Sequence, residues 1–420
     1  MTTATNVSWP DAYLRMAGHL AAGAAGARMI LTGTSACVDE IFHIDTERLS
    51  RLAAPTVRPS GGEGTQGREL LDRVLARISR GRGGELLTRW PGGPAWVGEL
   101  LGSPDRYQLG GTGPQASWAL ATVGAGSVLA LADRSLEQLA VIDPRTGLCL
   151  DGQVVPAGSV RPSGTATKLP HCILEFTAGI ATGTLTVPRS SRVILRFGDE
   201  PVERDEQFLA MTPALVPQAG SGLMSGLNGL ADGDTSDRDW LAGLARAWSD
   251  AGLPVIHHEL AEFPVPRRLH EAACLAHATS VGLSLSELFM LTGMRGDPRL
   301  LARDLAVSCG ARRVIVHADD WALAVHRDDP WHTADVLLAG NAFAAARARA
   351  GQPAAVLEPA SDATYTDDLP PSGTLDDGWQ VTCVPAPHLR QPAGTVGLGD
   401  TFVAGVLLAE SLPAGPTGPT

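Results

Sequence analysis

Lysine is almost missing. The 420 residues contain one, Lys168, so nearly all of the positive charge is arginine. A phosphate-binding loop of the P-loop type needs Gly-Lys-Ser/Thr, and Lys168 lies instead in Thr167-Lys168-Leu169. A nucleotide-using enzyme with this sequence must therefore use another architecture. Cysteine is sparse too: Cys37, Cys149, Cys172, Cys274, Cys309 and Cys383 are scattered, with no Cys-x-x-Cys pair. Neither a disulfide framework nor a sequence-encoded zinc motif follows from that spacing. Basic residues are outnumbered, 33 against 45 acidic, for a net charge of −12. This argues against nucleic acid or an anionic membrane as the main partner. No apolar run is long enough to span a bilayer, and the small-residue stretch Leu20 to Ala27 lacks the basic start of a signal peptide. A cytoplasmic protein is the expectation.

The composition that remains, 44% hydrophobic and 19% charged, is that of a soluble globular chain long enough for a large core. Apolar spacing predicts a helix over Pro10 to Ala22 and a short buried strand at Met29 to Thr32. Residues 50–110 read differently, as an insertion: flexible breaks at Pro59 to Gly62 and Arg80 to Gly84 flank one helix carrying Leu70, Leu71, Val74, Leu75 and Ile78. Asp105 to Leu109 makes a poor buried strand, and a helix opens after Gly113-Pro114. Strands are expected at Val128 to Leu131, Lys168 to Phe176 and Val193 to Phe197. From Asp199 onward helices and strands alternate, the mark of a parallel sheet wrapped by helices. Trp240, Leu244 and Trp248 recur at helical spacing and read as core. Leu412 to Thr420, with three prolines, reads as a disordered tail.

The stretch with the most chemistry is Thr395-Val396-Gly397-Leu398-Gly399-Asp400-Thr401, between the strand Trp379 to Val384 and the apolar helix from Phe402. Two glycines admit an anion to backbone amides, and a helix start adds partial positive charge. Asp400 at the same point supplies a base. Amides for a moving phosphoryl group and a base for a hydroxyl proton are what phosphoryl transfer to an alcohol requires. The plainer alternative is an N-capped helix behind a glycine turn. A dinucleotide fingerprint fits neither here, where the third glycine is missing, nor at Gly111-x-Gly113-x-x-Ala116, which follows that weak strand.

Open α/β sheets bind ligands at the carboxyl ends of their strands. Asp39, placed just past the strand Met29 to Thr32, is on that ground a candidate for gripping sugar hydroxyls, or a plain turn aspartate. Glu259 and Glu287 stand at the ends of two successive strands, a disposition that suits Mg²⁺, which takes few carboxylates together with water and phosphates. Each alone reads equally as a cap or a solvated charge.

In combination, Asp39, Gly110-Gly111, His257-x-Glu259 with Ser284-x-x-Glu287, and Gly397-x-Gly399-Asp400 resemble the ADP-dependent glucokinases and phosphofructokinases of the ribokinase-like superfamily, over nearly all of residues 28–410. The resemblance implies a ribokinase-like three-layer α/β sandwich with a smaller inserted lid: a large domain of residues 1–40, 110–160 and 200–420, and a lid of 41–109 and 161–199. It implies that Asp400, Gly397 and Gly399 are catalytic, and that Asp39, Cys37, Gly110, Gly111, Thr112 and His171 face the acceptor. It implies further that Arg192 clamps a phosphate and that Glu259 and Glu287 organise Mg²⁺. Ser35 and Cys37 replace two asparagines of the family pattern, Thr112 replaces an amide, and Ser284 replaces an asparagine. The expected activity is Mg²⁺-dependent phosphoryl transfer to a sugar-like alcohol, with ADP as the donor the resemblance favours. Alternatives are an ATP-using kinase of a cyclitol or nucleoside, or a non-catalytic sugar- or nucleotide-binding regulator. The expected partners are a small-molecule sugar or cyclitol and a nucleotide, in a monomer or small homo-oligomer.

Overall fold

The computed structural model describes residues 8–54, 64–183, 185–230, 235–261 and 273–413. Met29–Thr32 forms the expected buried strand and pairs in parallel with Ser127–Leu129 on one side and Ala219–Met224 on the other. Parallel order continues through Val255–Glu259, Ser280–Ser284 and Arg313–His317. Antiparallel strands Trp321–His326, Gln380–Pro385 and Gly373–Thr374 finish that side, while Gly147–Leu150 and Gln153–Pro156 finish the other, eleven strands among the described residues.

Successive side chains of a strand point to opposite faces. In Arg313–His317 this sends Val314 and Val316 into one apolar cluster and Ile315 into another. Helices Glu206–Leu215, Thr235–Asp250 and Pro298–Cys309 cover the first cluster, and Trp248 is fully buried there. Helices Trp9–Gly23, Thr112–Thr122, Pro330–Ala350 and Leu398–Ser411 cover the second. Helix, sheet and helix make the three layers expected.

A second, five-stranded sheet runs Gly84–Leu87, Ser191–Arg196, His171–Phe176, Cys37–Ile44, Arg106–Gly110. It has its own core, in which Phe42, Leu70, Val74, Trp90, Phe176 and Phe197 meet. Three expectations change here. Residues 37–40 lie in the second sheet and not with the large one, so Asp39 sits inside a strand and not in a turn. The reason is that the chain leaves Met29–Thr32 within four residues and then alternates buried and half-buried positions from Cys37 to Ile41. Residues 50–110 carry three helices that enter this range, Thr46–Ala53, Gly64–Ile78 and Gly93–Leu101, not one. Arg106–Gly110 is a strand after all; as an edge it needs only one partner, and Tyr107 stays 61% exposed. The breaks at Pro59 to Gly62 and the tail beyond 413 lie outside the described residues.

The single lysine is structural. Lys168 Nζ, nearly buried, donates to the Ala36 carbonyl (2.9 Å) and to Glu203 (2.5 Å), pinning the crossing between the two sheets. Among the described residues, no helix is long and apolar enough to cross a membrane.

Candidate functional site

Helix Leu398–Ser411 begins at Gly397, whose φ of 71° is left-handed, a conformation glycine adopts without strain. A Cβ there would also lie 2.5 Å from the Arg347 guanidinium carbon. The first intrahelical bond is from Thr401 N–H to the Gly397 carbonyl (3.0 Å). The amides of Leu398, Gly399 and Asp400 precede it and have no carbonyl within the helix to meet. Asp400 stands half-buried in the same turn. Burial raises its pKa above the usual carboxylate range and the charge of Glu259 adds to the rise, against the Thr112 hydroxyl, Arg347 and Arg192.

Behind this turn, Arg347 is 1% exposed. One Nη donates to Gln115 Oε1 (2.8 Å) and Thr401 Oγ1 (2.9 Å), while Nε and the second Nη have no hydrogen-bond partner. The guanidinium lies 5.6 Å from the centre of the Trp118 ring, a cation–π distance. Burial pulls its pKa down to about 10, partly offset by Asp400 and Asp39, so its charge is felt by both carboxylates. In front, the Thr395 amide donates to Glu175 of the second sheet (2.8 Å), and Val396 packs with Ile41 and Ile173. The glycine turn is thus held between helix Pro330–Ala350 and the second sheet. Arg192, on the second sheet opposite Glu175, has an unpartnered Nε and acts on Asp400.

Three adjacent parallel strands end beside the turn. Glu259 closes the first, and its two oxygens accept from His257 Nε2 (3.0 Å) and His317 Nε2 (3.1 Å). Burial would raise its pKa, but those two bonds outweigh it and lower it. Gly282 on the neighbouring strand makes room, since a Cβ there would overlap the Glu259 carboxylate. The second strand ends at Ser284, where Glu287 forms a capping box: its carboxylate accepts the Ser284 amide (2.6 Å), and the Ser284 hydroxyl accepts the Glu287 amide (3.3 Å). Glu287 is therefore a cap as well as a carboxylate at the strand end. Its pKa is raised by burial, with Glu259 adding to the rise. His317 closes the third strand. Burial opposes its charge, but the Glu259 bond and the charges of Glu259, Glu287 and Asp400 raise its pKa.

The remaining expected residues gather on the second sheet. Cys37 and Asp39 alternate on one strand, and His171 is directly opposite Asp39 on the next. Cys37 Sγ, an Asp39 oxygen and His171 Nδ1 lie 3.4 to 3.5 Å from one another. Gly110 faces them; a Cβ there would strike Asp39 and Cys37. Gly111 turns the chain into helix Thr112–Thr122 against the Ser35 carbonyl. His171 Nε2 bonds Glu200 (2.5 Å), which Arg196 holds in turn (2.8 Å).

Expected residues from chain positions 37 to 400 thus fall into two groups, with Arg347 acting on both. Three residues were missed by sequence reading. His317 was within reach, because it ends the strand next to Ser284 and the strand-end rule applies to it as it does to Glu259. Arg347 carried no signal: it looks like Arg349 two residues on, which is half-buried and caps carbonyls of Val356 and Glu358. Glu200 sits in a polar loop and was equally silent.

A large mostly parallel sheet between helix layers, a smaller second sheet over its strand ends, and a Gly-x-Gly-Asp helix start at the seam define a three-layer α/β protein with a smaller second sheet. Within that class the chain belongs to the ADP-dependent kinases: the family profile described as ADP-specific phosphofructokinase/glucokinase conserved region matches residues 28–409. Members are sugar kinases, phosphotransferases acting on hydroxyl groups. The chain is 24% identical over 285 residues to an ADP-dependent glucose/glucosamine kinase of Pyrococcus furiosus, a match covering 59% of this chain and 62% of that relative. A solved ADP-dependent kinase in complex with fructose-6-phosphate and ADPβS superposes with a TM-score of 0.75 at 19% identity, covering 97% of this chain and 98% of that one. The last common ancestor of ADP-dependent phosphofructokinases from Methanosarcinales gives a TM-score of 0.68 at 17% identity, over 97% and 99%. At these identities the solved structures show the fold.

Proposed function

We propose that the protein transfers the terminal phosphoryl group of ADP to a hydroxyl of a sugar or sugar-like alcohol. The observation that carries this reading is the half-buried Asp400, set in the same helix turn as the open amides of Leu398, Gly399 and Asp400 and flanked by Arg192 and Arg347. Asp400 takes the acceptor's proton as its oxygen bonds to phosphorus; the bond from phosphorus to the leaving AMP oxygen breaks. The amides and the two arginines stabilise charge on the phosphoryl oxygens. A raised pKa makes Asp400 a stronger base than an ordinary carboxylate.

Mg²⁺ fits the donor set at the strand ends. Glu259 and Glu287 repel one another enough for Glu259 to raise the Glu287 pKa, and both are hard oxygen donors. Glu259 is held by two imidazoles, so Glu287 is the freer of the two to contact the ion or its water. When bound, Mg²⁺ supplies neutralisation of phosphate charge.

Ser35, Cys37 and Thr112 offer fewer amide partners to a hexose than the family pattern, and a thiol is a weak hydrogen-bonding group. Glucose and fructose 6-phosphate are therefore expected to be poor acceptors beside a deoxy sugar, a nucleoside or a cyclitol. The test is product formation from a panel of these acceptors with ADP and with ATP. AMP release coupled to a phosphorylated product supports the reading. Absence of product across the panel with both nucleotides sinks it.

A further inference from the structure

At the acceptor end a thiol, a carboxylate and an imidazole nitrogen converge, the thiol within hydrogen-bonding distance of both other groups. Cys37 Sγ to Asp39 Oδ1 is 3.5 Å, Cys37 Sγ to His171 Nδ1 is 3.4 Å, and His171 Nδ1 to Asp39 Oδ1 is 3.4 Å. The last separation is long for a charge-assisted hydrogen bond, which closes to about 2.7–2.9 Å. An almost equilateral triangle of thiol, imidazole and carboxylate also matches the spacing of ligands around one tetrahedral ion. With metal–ligand bonds of about 2.0–2.3 Å and tetrahedral angles, neighbouring ligand atoms stand about 3.3–3.6 Å apart.

The surroundings agree. His171 presents Nδ1 to the triangle because Nε2 is taken by Glu200 at 2.5 Å, and Arg196 anchors Glu200 at 2.8 Å. Metal-bound histidines commonly donate their second nitrogen to a carboxylate in this way, which fixes the tautomer and the ring. All three ligand residues stand on paired strands, and Gly110 leaves space for them. The side chains of His171 and Asp39 are 13% and 8% exposed, so the group is sheltered yet reachable.

We propose that Cys37, Asp39 and His171 hold a divalent transition-metal ion, zinc in the first instance, through Sγ, a carboxylate oxygen and Nδ1. Cys37 binds as the thiolate, its proton passing to solvent. The mixed sulfur, nitrogen and oxygen set selects zinc over magnesium. Three protein ligands leave a tetrahedral zinc one position for water or a bound hydroxyl. The metal site stands on its own geometry; that the open position meets an acceptor hydroxyl rests on the kinase reading above.

The experiment is metal content and cobalt substitution on the full chain. After dialysis into zinc-free buffer, the wild type is expected to keep about one equivalent of zinc. Replacing zinc by Co²⁺ should give a thiolate-to-cobalt charge-transfer band in the near ultraviolet. Cys37→Ser should lose that band, and His171→Ala should lose the metal. Glu200→Gln should weaken affinity by about 10–100-fold, as for loss of a supporting carboxylate. Cys172→Ser, which removes a buried thiol from the same sheet but outside the triangle, should keep zinc and band alike, separating ligand loss from misfolding. A wild type that retains no metal and shows no band overturns the proposal, as does a Cys37→Ser protein that still shows it. Zinc binding without phosphoryl transfer would keep the site and overturn only the role of its open position.

Discussion

Two groups of carboxylate and imidazole flank the cleft, one on each sheet, and they differ in how complete they are. On the large sheet, Glu259 accepts hydrogen bonds from His257 and His317 at 3.0 and 3.1 Å, and both of its oxygens are used. On the second sheet, Asp39, His171 and Cys37 stand 3.4 to 3.5 Å apart, and only the outward nitrogen of His171 makes a short bond. The first group is satisfied by its own chain: it holds a carboxylate still beside Asp400 and the Gly397 turn. The second has the wider spacing on which the zinc proposal rests. Its three atoms match the separations of ligands around one tetrahedral ion, whereas the Glu259 network is closed by its own short bonds. The same two residue types therefore build a support at one end and a receptor at the other.

Damage at the large-sheet end should act on turnover and on Mg²⁺, and four variants sort by how far they separate the two ends. The largest effect is expected from Asp400→Asn, which keeps shape and removes the base. Turnover should fall by at least about a hundredfold with nucleotide affinity little changed. Near-normal turnover in steady-state kinetics would take Asp400 out of the mechanism. Next is Glu287→Gln. Glutamine can still complete a capping box, so the helix start survives while the charge is lost. The Mg²⁺ concentration for half-maximal rate should rise about tenfold. An unchanged Mg²⁺ dependence would leave Glu287 as a cap alone.

Arg347→Met sharpens the comparison from the middle, since Arg347 acts on both ends. Its charge lowers the Asp400 pKa against the raising effect of burial. Removing it should therefore move the acidic limb of the kcat profile to higher pH. Stability should change little, because a buried cation with two unpaired nitrogens is itself costly. A limb that stays in place would mean Arg347 only braces Gln115 and Thr401.

The smallest effect on turnover is expected from His258→Leu. His258 shares a strand with His257 and Glu259 but is fully buried, with neither ring nitrogen partnered. Burial first, then the neighbouring His257 and His277, push its pKa down to about 3. The unfolded chain takes up this proton near pH 6.5 and the folded chain does not. The stability is thus present above pH 6.5 and lost as pH falls toward 3. Between pH 7 and 5 the loss is on the order of 2 kcal/mol. In urea unfolding the leucine variant should lack that portion of the decline. The same decline in both proteins would place the acid sensitivity elsewhere.

Much of this was legible in the residue order. Gly397-Leu398-Gly399-Asp400 before an apolar helix predicts its own structure, because a left-handed glycine, a helix start and an acidic first turn are all local. Alternating strands and helices from Asp199 onward, and Trp248 on a buried helical face, follow from periodicity, which needs no knowledge of neighbours. Motif spacing carried Glu259, Glu287 and Asp39 as candidates. It misplaced Asp39 in a turn because the departure of the chain to a second sheet is a long-range event, settled by pairing with His171–Phe176 and Arg106–Gly110. Tertiary structure alone decided the rest. Arg347 and Arg349 are indistinguishable by local sequence, yet one lies under Gly397 and the other, half-buried, holds the carbonyls of Val356 and Glu358, since helix rotation against Leu398–Ser411 sets which side is inside. Cysteine spacing excluded any zinc motif within the sequence, and it had no bearing on a cysteine, an aspartate and a histidine separated by up to 134 positions and joined by strand register. Local order specifies what is made by neighbours along the chain; a site assembled across two sheets is specified only when they pack.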